Sequence, residues 1–207
     1  MPVNQPIFYF DFGSPNAYLA WRVLPAIERR TGARFRMIPA LLGGIFKATG
    51  NQSPMTAFAG IPAKLAYERR EIERFVARHR LFEFRMNPHF PVNTLMLMRG
   101  AVAAEAEGVF DAYVAAAFHH MWEAPKKMDD PQTFGDAFRA SRLPVDRIAD
   151  RAQDPVIKDR LIANTQAAID QGVFGLPSFI VGSELYFGKD RLEEIEAMLQ
   201  PASVVAD

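Results

Sequence analysis

The sequence predicts an α/β fold of βαβ…ββα order carrying a large all-helical insertion. Three observations predict it. An aromatic-rich apolar run near the start is broken by Gly13, a two-residue turn signal stands at Gly182-Ser183, and helical periodicity fills most of the interval between them. With 207 residues, 49% hydrophobic and 23% charged, the chain has the bulk of one well-packed soluble domain, or one domain with a large insertion.

Phe8-Tyr9-Phe10-Asp11-Phe12 reads as a buried strand, after which Ser14 stands as a helix N-cap and Pro15 as the first helical residue. Ala20, Val23, Leu24 and Ile27 follow the i, i+3, i+4, i+7 rule, Pro25 predicts a kink, and Gly32 supplies the stop. Arg34 to Pro39 alternates like a second strand, so a parallel βαβ unit is expected, with a right-handed crossover. Leu42 to Pro62 reads as irregular loop from its Gly, Pro, Asn and Ser content, with room for short helical fragments. Helices are expected over Lys64–Arg80, Thr94–Glu107 and Phe110–Glu123, with an extended stretch at Met86–Asn93 and shorter helical pieces over Pro131–Gln171. Gly182-Ser183 is a type II′ hairpin signal between two short strands, and Asp190, with Glu193 three residues on, reads as the capping box of a last helix. Strands at both ends of the chain in one sheet, with helices inserted, make a thioredoxin-like fold. Its domain would be 1–42 and 172–207, and 43–171 would be loop plus helical insertion.

Composition excludes several chemistries. Lys+Arg and Asp+Glu are balanced at 24 each, and the basic pairs are interleaved with glutamates, so no nucleic-acid partner is expected. There is no cysteine, hence no disulfide, CxxC pair or cysteine nucleophile. No metal is expected either, because His79, His89, His119 and His120 lack ligand spacing and read as structural or surface residues. Met96 and Met98 read as packing. The N-terminal residues lack a secretory pattern and no apolar run is long enough to span a bilayer, so a cytoplasmic protein with no membrane partner is expected.

The chemistry-bearing feature is Ser14. A hydroxyl and free backbone N–H groups at a helix start, at the carboxyl end of a strand, suit an anion such as a thiolate. Without a cysteine, that thiolate must arrive on a ligand. The Phe-Asp-Phe-x-Ser-Pro-x-x-Tyr-Leu-Ala start (10–20), Gly50-Asn51, Lys64, Gly172-Val173-Phe174-Gly175-Leu176-Pro177 and Phe187-Gly188-Lys189-Asp190-Arg191-Leu192 stand in one register. On these motifs the chain resembles the 2-hydroxychromene-2-carboxylate isomerases and the related kappa-class glutathione transferases, within the DsbA-like superfamily.

That resemblance implies glutathione as cofactor, with Ser14 holding its sulfur as thiolate and Leu176 and a cis Pro177 pairing with its peptide backbone. Phe187, Gly188, Lys189 and Asp190 would lie at its γ-glutamyl end. It places Lys47, Asn51, Lys64 and Asn93 on the side of an aromatic acid substrate, and it implies a homodimer. Lys189 stands where the family more usually has a small polar residue, Asn16 where an aromatic is common, and Ala17 where a small polar residue is. The implied activity is cis–trans isomerisation by reversible thiolate addition. The alternatives are a kappa-like transferase that releases the conjugate, and a non-catalytic module that binds peptides along the Leu176 edge.

Overall fold

The structure, a computed structural model, describes residues 5–200; the outermost ends of the two flanking segments, 1–4 and 201–207, lie outside the described residues. The elements in order are β1 (Ile7–Phe10), α1 (Pro15–Thr31), β2 (Arg36–Pro39), α2 (Leu42–Thr49), α3 (Pro54–Ala57), α4 (Pro62–His79), α5 (Leu95–Ala106), α6 (Phe110–Trp122), α7 (Pro131–Ala140), α8 (Val145–Arg151), α9 (Pro155–Asp170), β3 (Ser178–Val181), β4 (Glu184–Phe187), a 3₁₀ turn (Lys189–Arg191) and α10 (Leu192–Leu199).

The strands form one mixed sheet in the order β2-β1-β3-β4. β1 runs parallel to β2 and antiparallel to β3, so Tyr9 lies between Ile38 and Ser178. Alternation along β1 divides the apolar packing in two. Phe8 and Phe10 face the larger core, where Phe8 stacks on Phe179 at 5.1 Å and the inserted helices contribute Leu97, Tyr113, Phe118 and Trp122. Ile7 and Tyr9 face a smaller cluster with Ile45, Ala168, Val173 and Leu176. The Trp122 indole N–H reaches the Phe12 carbonyl at 2.8 Å and so ties α6 to the end of β1.

Helix starts follow a repeated local rule. α1, α3, α7 and α9 each begin at Ser-Pro or Asp-Pro, and in each the Ser or Asp side chain accepts an N–H of the first turn. The cap satisfies a donor the helix cannot, and the proline sits where no N–H is needed. α1 runs unbroken through Pro25, which lies on the exposed face, and it ends at Gly32 with φ 74°. Gly182, at φ 64°, makes the predicted two-residue hairpin turn, with Val181 opposite Glu184.

Two sequence expectations are corrected. The stretch read as loop contains α2, two turns long, and the short α3. Gly43 and Gly44 hide α2 from a composition count, whereas burial of Ile45 against the smaller cluster stabilises it. Asp190 does not cap the last helix. It lies inside the 3₁₀ turn, α10 starts after Arg191 without a side-chain cap, and Glu193 pairs with Arg78 at 3.3 Å. Gly188, at φ 91°, turns the chain so that Lys189–Arg191 supply the first turn in place of a capping box.

Candidate active site

Ser14 sits at the carboxyl end of β1 with only 5% of its surface exposed. Its backbone is extended (φ −94°, ψ 114°), and its oxygen accepts the Ala17 N–H at 3.2 Å. Its own proton goes to the Leu176 carbonyl at 3.0 Å, across 162 residues of chain. The hydroxyl's one proton is therefore committed. To serve an incoming anion it must turn its proton away from Leu176, a rotation about the Cβ–Oγ bond that leaves the cap to Ala17 intact. Among the described residues the N–H groups of Asn16, in the first turn of α1, and of Leu176, whose carbonyl Ser14 reaches, have no hydrogen-bond acceptor.

The Leu176–Pro177 bond is cis. The Pro177 carbonyl accepts the Gly188 N–H at 3.0 Å, which ties the edge beside Ser14 to the segment after β4. Phe187, the last residue of β4, packs its ring on Phe174 with centroids 4.6 Å apart. Lys189 is 3% exposed, with its ammonium 4.8 Å from the Phe75 ring centre and 2.5 Å from an Asp190 carboxylate oxygen. The Asp190 side chain is 64% exposed and open to a ligand. Ser14, Leu176, Pro177, Phe187, Gly188, Lys189 and Asp190 are thus joined by one run of contacts from the start of α1 to the start of α10.

The residues expected on the substrate side divide differently. Asn93 lines a cavity of about 580 Å³ beside Asp11 and Gly13, and its side-chain oxygen accepts the Leu95 N–H at 3.0 Å. Asn51 instead donates to the Phe174 carbonyl at 2.7 Å and so braces the glycine-rich turn before Leu176. Lys47 is exposed on the last turn of α2. Lys64 lies on the first turn of α4 with its ammonium 3.6 Å from the Phe58 ring centre. Neither lysine lines the cavity.

Asp11 was not singled out from the sequence as a site residue. It is 1% exposed; one carboxylate oxygen accepts the Gly13 N–H at 2.8 Å and the other the Leu42 N–H at 2.9 Å. Burial pushes its carboxyl above the ordinary value, while the Gly13 and Leu42 N–H groups and the Thr94 side chain pull the other way. One anion thereby joins the Ser14 turn, the start of α2 and the approach to α5. The signal available in the sequence was an acid inside an apolar aromatic run, which only a partnered carboxylate occupies at low cost.

The histidines and methionines take structural places. His120 is buried with one ring nitrogen at the Ala137 carbonyl (3.0 Å) and the other at the Lys126 ammonium (2.9 Å). His119 pairs with Glu123 and His79 lies against Phe75. His89 is exposed, Met98 is fully buried and Met96 packs at the core's edge. No helix among the described residues is long and apolar enough to cross a membrane.

Comparison with known proteins places the chain in a family. The chain is 27% identical to a 2-hydroxychromene-2-carboxylate isomerase of Sphingobium xenophagum, over 93% of this chain and 96% of that protein. It is 26% identical to glutathione S-transferase kappa 1 of Rattus norvegicus, over 92% of this chain and 88% of that protein. A solved 2-hydroxychromene-2-carboxylate isomerase superposes with a TM-score of 0.75 at 26% identity, covering 93% of this chain and 92% of the other. The DsbA oxidoreductase of Xylella fastidiosa shares the fold at 16% identity, with a TM-score of 0.57 over 94% of this chain and 82% of its own. The DSBA-like thioredoxin domain pattern matches residues 7–200, and the chain belongs to that family.

Proposed function

We propose that the protein is a glutathione-dependent cis–trans isomerase of aromatic acids of the 2-hydroxychromene-2-carboxylate type, giving trans-o-hydroxybenzylidenepyruvate. The observation that carries the reading is the Ser14 hydroxyl, buried at a helix start and turned between Ala17 and Leu176 beside two unused backbone donors. These residues fit a thiol tripeptide. Leu176 offers a backbone N–H to an extended peptide, in the manner of an added strand. Asp190 offers an exposed carboxylate to an ammonium group, while the buried Lys189 ammonium holds that carboxylate in place.

When bound, glutathione supplies a thiolate whose reversible addition to a conjugated enone makes a fixed double bond rotatable. The chain's own contribution is electrostatic and positional. The Ser14 hydroxyl, once its proton leaves the Leu176 carbonyl, donates to the sulfur, and the N-terminus of α1 favours the anion over the thiol. Together they lower a thiol's pKa from its ordinary value of about 8.5. The apolar walls beside Gly13 hold the ring and exclude water. The same reading takes the enzyme as a homodimer, checked by light scattering on the purified protein.

A second reading, a kappa-like transferase, is favoured by the near-equal identity to the rat kappa enzyme and to the Sphingobium isomerase, 26% and 27%. Supplying glutathione with a cis-enone acid separates the two, since isomer accumulates under the first reading and conjugate under the second. Calorimetry with reduced glutathione guards both, because no saturable binding at millimolar concentration leaves only a non-catalytic peptide-binding module.

A further inference from the structure

The cavity beside Ser14 is assembled from segments far apart in the chain: the end of β1, α2, α3 and the extended stretch before α5. Its volume of about 580 Å³ fits a bicyclic aromatic group, and Leu42, Phe46, Met55, Phe90 and Val92 give it apolar walls. Its neutral polar groups are the Ser53, Thr56 and Thr94 hydroxyls and the Asn93 amide. Among the described residues it has no lysine, arginine or histidine in its lining, and its one charged group is the buried carboxylate of Asp11. Lys47 and Lys64 stay out of the lining: Lys47 is exposed on the last turn of α2 and Lys64 lies over the Phe58 ring.

A carboxylate brought into such a cavity loses its hydration, finds no counter-charge in the lining and meets a buried carboxyl whose oxygens already accept the Gly13 and Leu42 N–H groups. Each of these effects opposes it. An uncharged ring carrying a phenol or ketone loses little, since the hydroxyls and the amide can pair with it. We infer that this cavity takes the uncharged aryl end of the substrate and that a substrate carboxylate stays outside, at the mouth, so that aryl enones lacking the carboxylate are ligands of the same site. The inference deepens the isomerase reading and rests on it for the identity of the reacting enone.

The test is calorimetric titration of the whole protein with o-hydroxybenzylideneacetone, which is neutral, and o-hydroxybenzylidenepyruvate, which carries the carboxylate. Each titration is run alone and again with S-methylglutathione present. The neutral ligand is expected to bind at least as tightly as the acid, within about threefold. The ratio of the two affinities in the wild-type protein decides.

Acid binding more than about tenfold tighter than the neutral ligand, a ratio that reveals an unrecognised cation in the cavity, overturns the inference. So does failure of both ligands to bind. Binding is read without turnover, so a neutral ligand that binds but is not isomerised in the presence of glutathione counts against the isomerase reading alone.

Discussion

Ser14-Pro15 and Ser53-Pro54 are the same helix start written twice. Both serines are extended, both precede a proline in the first turn, and both accept an N–H three residues ahead at 3.2 Å. They part company in where the hydroxyl proton goes. Ser53 is only partly buried, and its hydroxyl meets the Thr56 hydroxyl at 3.0 Å within its own short helix. Ser14 is buried and donates to Leu176, brought from the far end of the chain by the pairing of β1 with β3. The local motif sets a cap. Only the second partner turns a cap into a donor held beside unused backbone N–H groups.

Removing the Ser14 hydroxyl breaks the comparison most sharply. Ser14→Ala should lower kcat/KM about a hundredfold, the usual scale for losing one donor to developing or held charge. Its thermal midpoint should fall only as far as the loss of a cap, about 1 kcal/mol, requires. Steady-state kinetics and a melting curve read the two effects separately, and unchanged turnover would remove Ser14 from the chemistry.

The residue before each serine gives the next test. A Cβ on Gly13 would stand 3.1 Å from a Thr94 methyl and 3.3 Å from an Asp11 oxygen. Gly13→Ala should therefore cost about 1–2 kcal/mol by crowding the wall and raise KM for the aromatic substrate. Gln52→Ala, at the exposed counterpart, should leave both unchanged.

Acid stability sharpens the comparison from outside either helix start. Burial, then the Lys126 ammonium and His119, hold His120 at about 4, below its ordinary 6.5. As pH falls, the unfolded chain therefore takes up that proton first. Stability present above about pH 6.5 is lost progressively down to about 4, whether or not Ser14 is intact. Denaturant unfolding midpoints from pH 7 to pH 4 should fall in the wild type and flatten in His120→Gln. Smallest of all, Ser53→Ala should cost about 0.5–1 kcal/mol in stability and lower turnover far less than Ser14→Ala, within about threefold, since its hydroxyl caps α3 and meets only the aryl end of a ligand.

The strands and most helices were legible because their signals are local. Aromatic alternation along Phe8-Tyr9-Phe10 matches the two faces on which those rings pack, and the Gly182-Ser183 turn fits its hairpin. α2 was missed because its stability comes from Ile45 meeting residues of α9 and the turn that follows, not from its own Gly-rich sequence. Asp190 was misread because a capping box counts residues, and the positive φ of Gly188 lets a 3₁₀ turn take up Asp190, so that α10 starts one position on. In the site, the run from Ser14 through Leu176 to Asp190 was traced by resemblance. Asp11 and the charge of the cavity were not traced, because they depend on which distant walls meet.

By itself the sequence determined the alternation of β1, the Ser-Pro and Asp-Pro helix starts, and the lack of any thiol of its own. These follow from side-chain size, proline geometry and composition, which need no partner. Tertiary structure alone decided which of two like serines is buried against a distant carbonyl, and that the neighbouring cavity holds an anion and no cation among its described residues. Burial and electrostatic environment are sums over neighbours, and the neighbours of Ser14 are supplied by packing.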